Sequence, residues 1–232
     1  MKKELHYAKD RGTGDHQWLK SKFSFSFADY YNPDRMGFGL LRVLNDDIIA
    51  PGHGFPSHPH RDMEIITVVT EGELAHADNT GKKTVMKPGD IQVMSAGSGI
   101  IHSEFNNSDS ADVKLFQLWI QTKEHGIKPR HDEKTFEFKD NEFNLVVSGK
   151  KVDNTLYIHQ DAKISLGKFN SEKTVSYELE SGNGAFVFVI EGSVEVVDEK
   201  LGKRDAIGIS ETEKIELGIN EDSYVMVVEV PM

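Results

Sequence analysis

The chain has 232 residues with a formal net charge of −11 and no cysteine. That length can bury one large or two small cores, and the charge opposes phosphate backbones and anionic membrane surfaces, so no direct nucleic-acid or membrane partner is expected. Without cysteine there is no disulfide scaffold, zinc finger, iron–sulfur cluster or thiol catalysis, and any metal must be held by His, Asp or Glu. The charged and polar start "MKKELHYAKDRG" and the absence of a long apolar run predict a cytoplasmic protein.

In chain order, the first distinctive stretch is "HQWLKSKFSFSFADYY". Phe23, Phe25 and Phe27 alternate with serines, which predicts three rings on one strand face. Such rings suit a core, and the alternative is the wall of a ligand pocket. "GFPSHPHRDME" follows, with His58 and His60 two residues apart and Pro59 between them. Proline cannot donate to a ladder, so this segment should lie at a strand start, a bulge or an edge.

From Met63 to Thr122 short runs rich in β-branched residues alternate with Gly, Asn, Asp and Pro, the pattern of an all-β sandwich or barrel. Within this region, "GSGIIHSEFN" places His102 and Glu104 two apart, after Ile100 and Ile101, which are read as apolar walls. Residues i and i+2 of a strand point the same way. Two such pairs on neighbouring strands would build a cage of three imidazoles and one carboxylate with coordination positions left open, the form of a catalytic rather than a structural site. Glu64 lies at an even offset from His60, so an unbroken strand would aim it inward, as an orienter of a ligand His N–H. His53 and His76 are read as surface or internally satisfied polar residues.

"KEHGIKPRHDEKTF", Lys123 to Phe136, is polar and shows no strand pattern, so the join between domains is placed there: 1–128 as a metal-binding domain and 129–232 as a metal-free one. The second half repeats the first. An apolar run ends in Glu71-Gly72 and again in Glu191-Gly192, and a later turn carries Asp90 in one copy and Asp205 in the other. The second copy has no His-x-His or His-x-Glu pair in the corresponding strands.

The spacing Gly52, His58, His60, Glu64, Gly72 resembles the first cupin motif, and Gly99, His102, Asn106 resembles the second. The wording "HPHRDMEIITVVTEGELAHADNTG", "MSAGSGIIHSEFN" and "LFQLWI" resembles the bacterial branch of the pirin family across nearly the whole chain. The resemblance implies an all-β bicupin, two tandem jelly-roll-type β-barrels with metal only in the first, held by His58, His60, His102 and Glu104. It implies one divalent transition metal, with Fe expected and Ni, Co, Mn, Zn or Cu as alternatives. It also implies quercetin 2,3-dioxygenase chemistry: O₂ opens a flavonol-like aromatic substrate, with Glu104 as the catalytic base. The other reading is a non-enzymatic iron-dependent redox sensor or cofactor that binds a regulatory protein partner. Closed barrels leave no strand edges to pair, so a monomer is expected.

Overall fold

The computed structural model describes residues 1–232, and its regular structure is all strand apart from a single 3₁₀ turn at Ala8–Asp10. No helix is long and apolar enough to cross a membrane. The strands form two seven-stranded and two four-stranded sheets.

In the first half the large sheet runs, in spatial order, Arg130–Thr135, Asp90–Ser95, Met63–Glu71, Val113–Gln121, Leu41–Ile49, Leu19–Phe23 and Gly12–Asp15. Its small sheet runs Gly54–His60, Ile100–Asn106, Leu74–Asp78 and Lys83–Met86. The second half follows the same plan. Its large sheet is Lys2–His6, Ala206–Ser210, Asn183–Glu191, Ser223–Pro231, Lys163–Phe169, Glu142–Ser148 and Leu156–Tyr157, and its small sheet is Lys173–Glu178, Lys214–Ile219, Val194–Val196 and Glu199–Leu201. The duplication therefore holds strand by strand except at one edge, where Leu156–Tyr157 runs parallel to Glu142–Ser148 while Gly12–Asp15 runs antiparallel to Leu19–Phe23. Each half is a jelly-roll-like sandwich of one large and one small sheet, as a bicupin requires, although the sheets stay open rather than closing into continuous barrels. Free edges remain, so the argument from closed barrels to a monomer does not apply.

Two strands cross the join anticipated at residue 128. Arg130–Thr135 pairs with Asp90–Ser95 and so completes the first half, while Lys2–His6 pairs with Ala206–Ser210 and completes the second. The segment read as a patternless linker is thus an edge strand. Its outward residues are charged, as befits an edge, and that charge hides the period of two.

The large sheets pack back to back. Ile66, Val68, Phe116, Leu118 and Ile120 of one meet Ile164, Leu166, Phe186, Phe188 and Met226 of the other in a cluster of 25 buried residues. Inside the second sandwich a further 15 buried apolar residues, among them Val187, Val225 and Leu217, fill the space between its sheets. Inside the first, apolar groups gather at the two ends, around Leu74 and Leu115 and around Ile65 and Met94. The space between them is lined by Asn45, Asp47, Thr67, Gln92, His102 and Glu104, all buried.

The repeat is visible in one backbone detail. Gly72 and Gly192, which end equivalent strands, both take φ of +77°. A Cβ at Gly192 would lie 2.7 Å from Ser223 Cα and 2.9 Å from Asp222 O, whereas one at Gly81, also at positive φ, would meet open space. Gly192→Ala is expected to cost about 2–4 kcal/mol, from clash added to left-handed strain, and Gly81→Ala about 1 kcal/mol from strain alone. Urea denaturation of the two variants side by side measures the difference.

Candidate metal centre

The two i,i+2 pairs meet. Gly54–His60 is the edge strand of the small sheet and pairs antiparallel with Ile100–Asn106, placing His58 opposite His102 and His60 opposite Ile100. The register slips between His102 and Glu104, so Pro56 and Ser57 bulge from the edge strand. The expectation that the segment around Pro59 sits at an edge is met, while the bulge falls at Pro56 and Ser57 and Pro59 itself stays in register opposite Ile101. Along Ile100–Asn106 burial alternates, so His102 and Glu104 both face inward. Ile101 faces solvent and forms no wall; Ile100 is buried. Asn106 braces the end of this strand, donating to the carbonyls of Ile49 at 2.9 Å and Ala111 at 2.8 Å.

The ligand nitrogens of His58, His60 and His102 all lie within 4.8 Å of one another. Glu104 falls in a second group of that kind with His102 and His76. His58 Nδ1 lies 2.8 Å from the Pro56 carbonyl, which fixes the proton there and leaves Nε2 for a ligand. Burial, and then the proximity of His58, pushes His60 down to about 4. Burial, and then the neighbouring imidazoles of His58, His60 and His76, pushes His102 down to about 2. Both rings are therefore neutral at physiological pH, the state in which imidazole binds metal. Both ring nitrogens of His102 and Oε1 of Glu104 are buried without a hydrogen-bond partner. Such orphaned groups are costly unless something else satisfies them, and a cation does so. The residues present fit a divalent transition metal.

Glu104 is buried, which raises its proton affinity above the usual carboxylate range. Its Oε2 accepts from Gln117 Nε2 at 2.8 Å, and Gln117 Oε1 accepts from Trp119 Nε1 at 3.2 Å. One carboxylate oxygen is therefore held by the large sheet, and the other is free.

A cavity of about 530 Å³ opens onto His58, His60 and Glu104. Its walls are aromatic: Trp18, Phe23, Phe27, Phe55 and Trp119. The three phenylalanines predicted to share a face do not. The strand ends at Phe23, so the strict alternation is lost beyond it. Phe23 and Phe27 line the cavity, while Phe25 packs on Phe186 in the seam between the halves.

Glu64 requires a correction. It makes no contact with the three imidazoles; its Oε2 accepts from Ser95 Oγ at 2.7 Å. Strand continuity breaks at Arg61 and Asp62, where Asp62 takes φ of +47°. That break inverts the parity, and Glu64 joins Ile66 and Val68 on the face turned toward the second half. His53 is exposed, as expected. For His76 the internal one of the two readings holds: it is buried, and its Nε2 meets Asp78 and His131.

Asp47 was not anticipated. It lines the cavity from Leu41–Ile49 and is 3% exposed, with Oδ1 unpartnered. Burial, reinforced by the charges of Asp46 and Glu104 and opposed by the Ser21 hydroxyl and Arg11, pushes it up to about 7. A run of apolar and polar residues in "LLRVLNDDII" marks a strand but not which carboxylate faces a cavity.

Between about pH 4, where Asp47 ionises in the unfolded chain, and about pH 7, folding retains a proton that unfolding releases. Stability from this group therefore falls as pH rises through that window. In chelator-treated protein, Asp47→Asn should gain on wild type between pH 4.5 and pH 8 by on the order of a few kcal/mol. Denaturant titrations at the two pH values measure this.

The Pirin family profile matches residues 5–120, and the profile of a quercetinase C-terminal cupin domain matches residues 145–230. A quercetin 2,3-dioxygenase of Escherichia coli is 37% identical over 227 residues, 98% of each chain. A pirin-like protein of Caulobacter vibrioides is 42% identical over 94% of this chain and 95% of its own. Among solved structures, YhhW from Escherichia coli superposes with a TM-score of 0.96 at 37% identity, covering 99% of this chain and 98% of its own. The nickel(II) complex of the same bacterial pirin gives 0.94 over 99% of both chains. With these matches spanning both halves, and a His/Glu cluster able to hold a metal inside the first, the chain belongs to the pirin family of cupin proteins.

Proposed function

We propose that this protein is a metal-dependent dioxygenase that opens flavonol-type aromatic substrates with O₂, releasing carbon monoxide, as quercetin 2,3-dioxygenases do. The observation that carries the reading is the aromatic cavity, which ends on the imidazoles and carboxylate of the candidate metal centre. Its volume of about 530 Å³ falls in the range of small-molecule sites. Three features converge there: flat apolar walls, candidate ligands and a carboxylate of raised proton affinity.

In this reading His58, His60, His102 and Glu104 hold the metal, which when bound supplies Lewis acidity toward a hydroxyl oxygen and redox access to dioxygen. The chain's own residues do the rest. Trp18, Phe27, Phe55 and Trp119 sandwich and orient planar rings. Glu104, a ligand that can let go of the metal, then takes the proton of the substrate hydroxyl at Oε1, while Gln117 holds Oε2 in place. Removing the hydroxyl proton makes the substrate electron-rich enough to react with O₂. Asp47, facing the same cavity, is placed to donate or accept a hydrogen bond from the ring substituents. Iron is the metal expected from the family resemblance, and the nickel(II) complex of a relative supports a first-row divalent ion.

The regulatory alternative, a metal-dependent protein-binding cofactor, needs no cavity of this kind. The two are separated by measuring oxygen uptake and carbon monoxide release with quercetin after loading with Fe²⁺, Ni²⁺, Co²⁺ or Mn²⁺. Turnover is expected with at least one metal. Glu104→Gln should lower kcat by about 10²–10⁴-fold, the contribution of a positioned base. His58→Ala/His60→Ala should lose one equivalent of metal relative to wild type together with turnover. Absence of turnover under every metal, with the metal bound, would favour the regulatory reading.

A further inference from the structure

The small sheet of the first half carries a second set of ligand-type side chains, one strand further in than His102. His76 and Asp78 are themselves an i,i+2 pair on Leu74–Asp78, cross-strand from Glu104 and His102. His131 arrives from the edge of the large sheet, on Arg130–Thr135. His76 Nε2 lies 3.0 Å from Asp78 Oδ2 and 3.1 Å from His131 Nδ1, and that Nδ1 lies 3.4 Å from the same Asp78 oxygen. Three ligand atoms close a triangle, and all three side chains are 0% exposed.

Hydrogen bonds alone do not satisfy this triangle. A neutral imidazole carries one N–H, and a carboxylate brings only lone pairs. If both rings donate to Asp78, two N–H groups face each other across 3.1 Å. If only one donates, the bare nitrogen of the other faces the carboxylate. One edge always sets like against like. A cation bound by all three atoms removes the conflict. Ligands about 2.1 Å from a common ion stand about 3.0 Å apart in octahedral and about 3.4 Å apart in tetrahedral coordination, the spacings seen here.

The carboxylate is also aimed. Asp78 Oδ1 accepts from Thr80 N at 2.8 Å, Thr80 Oγ1 at 2.6 Å and Lys82 N at 3.3 Å, which leaves Oδ2 for the triangle. On the remote side, His131 Nε2 is buried without a hydrogen-bond partner, with Glu133 Oε2 3.7 Å away. His131 also borders a surface cleft with Asn79, Thr80 and Arg130.

We propose that His76, Asp78 and His131 form a second divalent-metal site beside the centre at His58, His60, His102 and Glu104, with a ligand atom of His76 within 4.8 Å of those of His102 and Glu104. Two imidazoles and one carboxylate suit Zn²⁺, Ni²⁺, Co²⁺ or Fe²⁺. An ion there ties the edge strand of the large sheet to the small sheet and closes that end of the first sandwich. The assignment rests on the triangle alone and holds whether or not the protein oxidises flavonols.

The test uses the full chain, stripped with chelator, equilibrated with a Zn²⁺ or Ni²⁺ salt, desalted and assayed for metal by mass spectrometry. Wild type should retain about two equivalents, and Asp78→Asn, His131→Gln and His58→Ala/His60→Ala about one each. A wild type holding one equivalent that Asp78→Asn and His131→Gln also hold overturns the proposal. So does a wild type holding two that both variants keep. Loss in the triangle variants with retention in His58→Ala/His60→Ala supports the second site even if the first assignment fails. Should the variants misfold, anomalous scattering from metal-soaked wild-type crystals decides: a peak within the triangle supports the site, and its absence overturns it.

Discussion

The apolar seam between the two large sheets is the contact on which the rest of the molecule depends. Each sheet turns one continuous apolar face to the other, and the 25 residues buried there belong to both halves. Each fully buried aliphatic or aromatic side chain contributes about 1.5–3 kcal/mol. The exchange of edge strands adds to this, because Lys2–His6 and Arg130–Thr135 each complete the sheet of the opposite half. With the large sheets held from behind, the inner face of the first sandwich is free of the duty of packing.

The two sandwiches use that freedom differently. The second fills its interior with 15 apolar residues. The first keeps Asn45, Asp47, Gln92, Glu104 and His102 in the equivalent space, where unsatisfied polar atoms oppose folding. Burial is the main cause of the electrostatics at four of these groups: it lowers the proton affinity of His60 and His102, raises that of Asp47 and Glu104, and so drives each of the four toward its neutral form. A bound cation reverses the logic for the carboxylates and removes the penalty on the imidazoles. The site is thus unfavourable as a core and favourable as a ligand set. The triangle of His76, Asp78 and His131 repeats this condition on a smaller scale.

Much of the fold was legible along the chain because strands have a period of two and turns a recognisable chemistry. The pairs His58/His60 and His102/Glu104 could be assigned to one face each for that reason, and the repeat of Glu-Gly at 71–72 and 191–192 marked equivalent strand ends. The misreadings have a common cause, a period extrapolated across a break or masked by charge. Glu64 was carried past Asp62, where the left-handed backbone inverts the faces. Phe25 was grouped with Phe23 and Phe27 beyond the end of their strand. Arg130–Thr135 was read as linker because an edge strand carries charge on its outer side. The His76-x-Asp78 pair shows the same i,i+2 spacing in the sequence as His58/His60 and His102/Glu104.

By itself the sequence determined the all-β class, the tandem repeat and the two i,i+2 pairs of ligand-type side chains, because each is a local property of spacing and residue type. Only the tertiary structure decided which strands become neighbours. That choice opposes His58 to His102, turns Glu64 away and draws Phe23 and Phe27 to Trp119 as a cavity wall. It also brings His131 from the far edge of another sheet to within 3.1 Å of His76. Burial belongs to the same category. Whether Asp47 is a surface acid or a proton-holding group in a cavity depends on what covers it, and what covers it lies elsewhere in the chain.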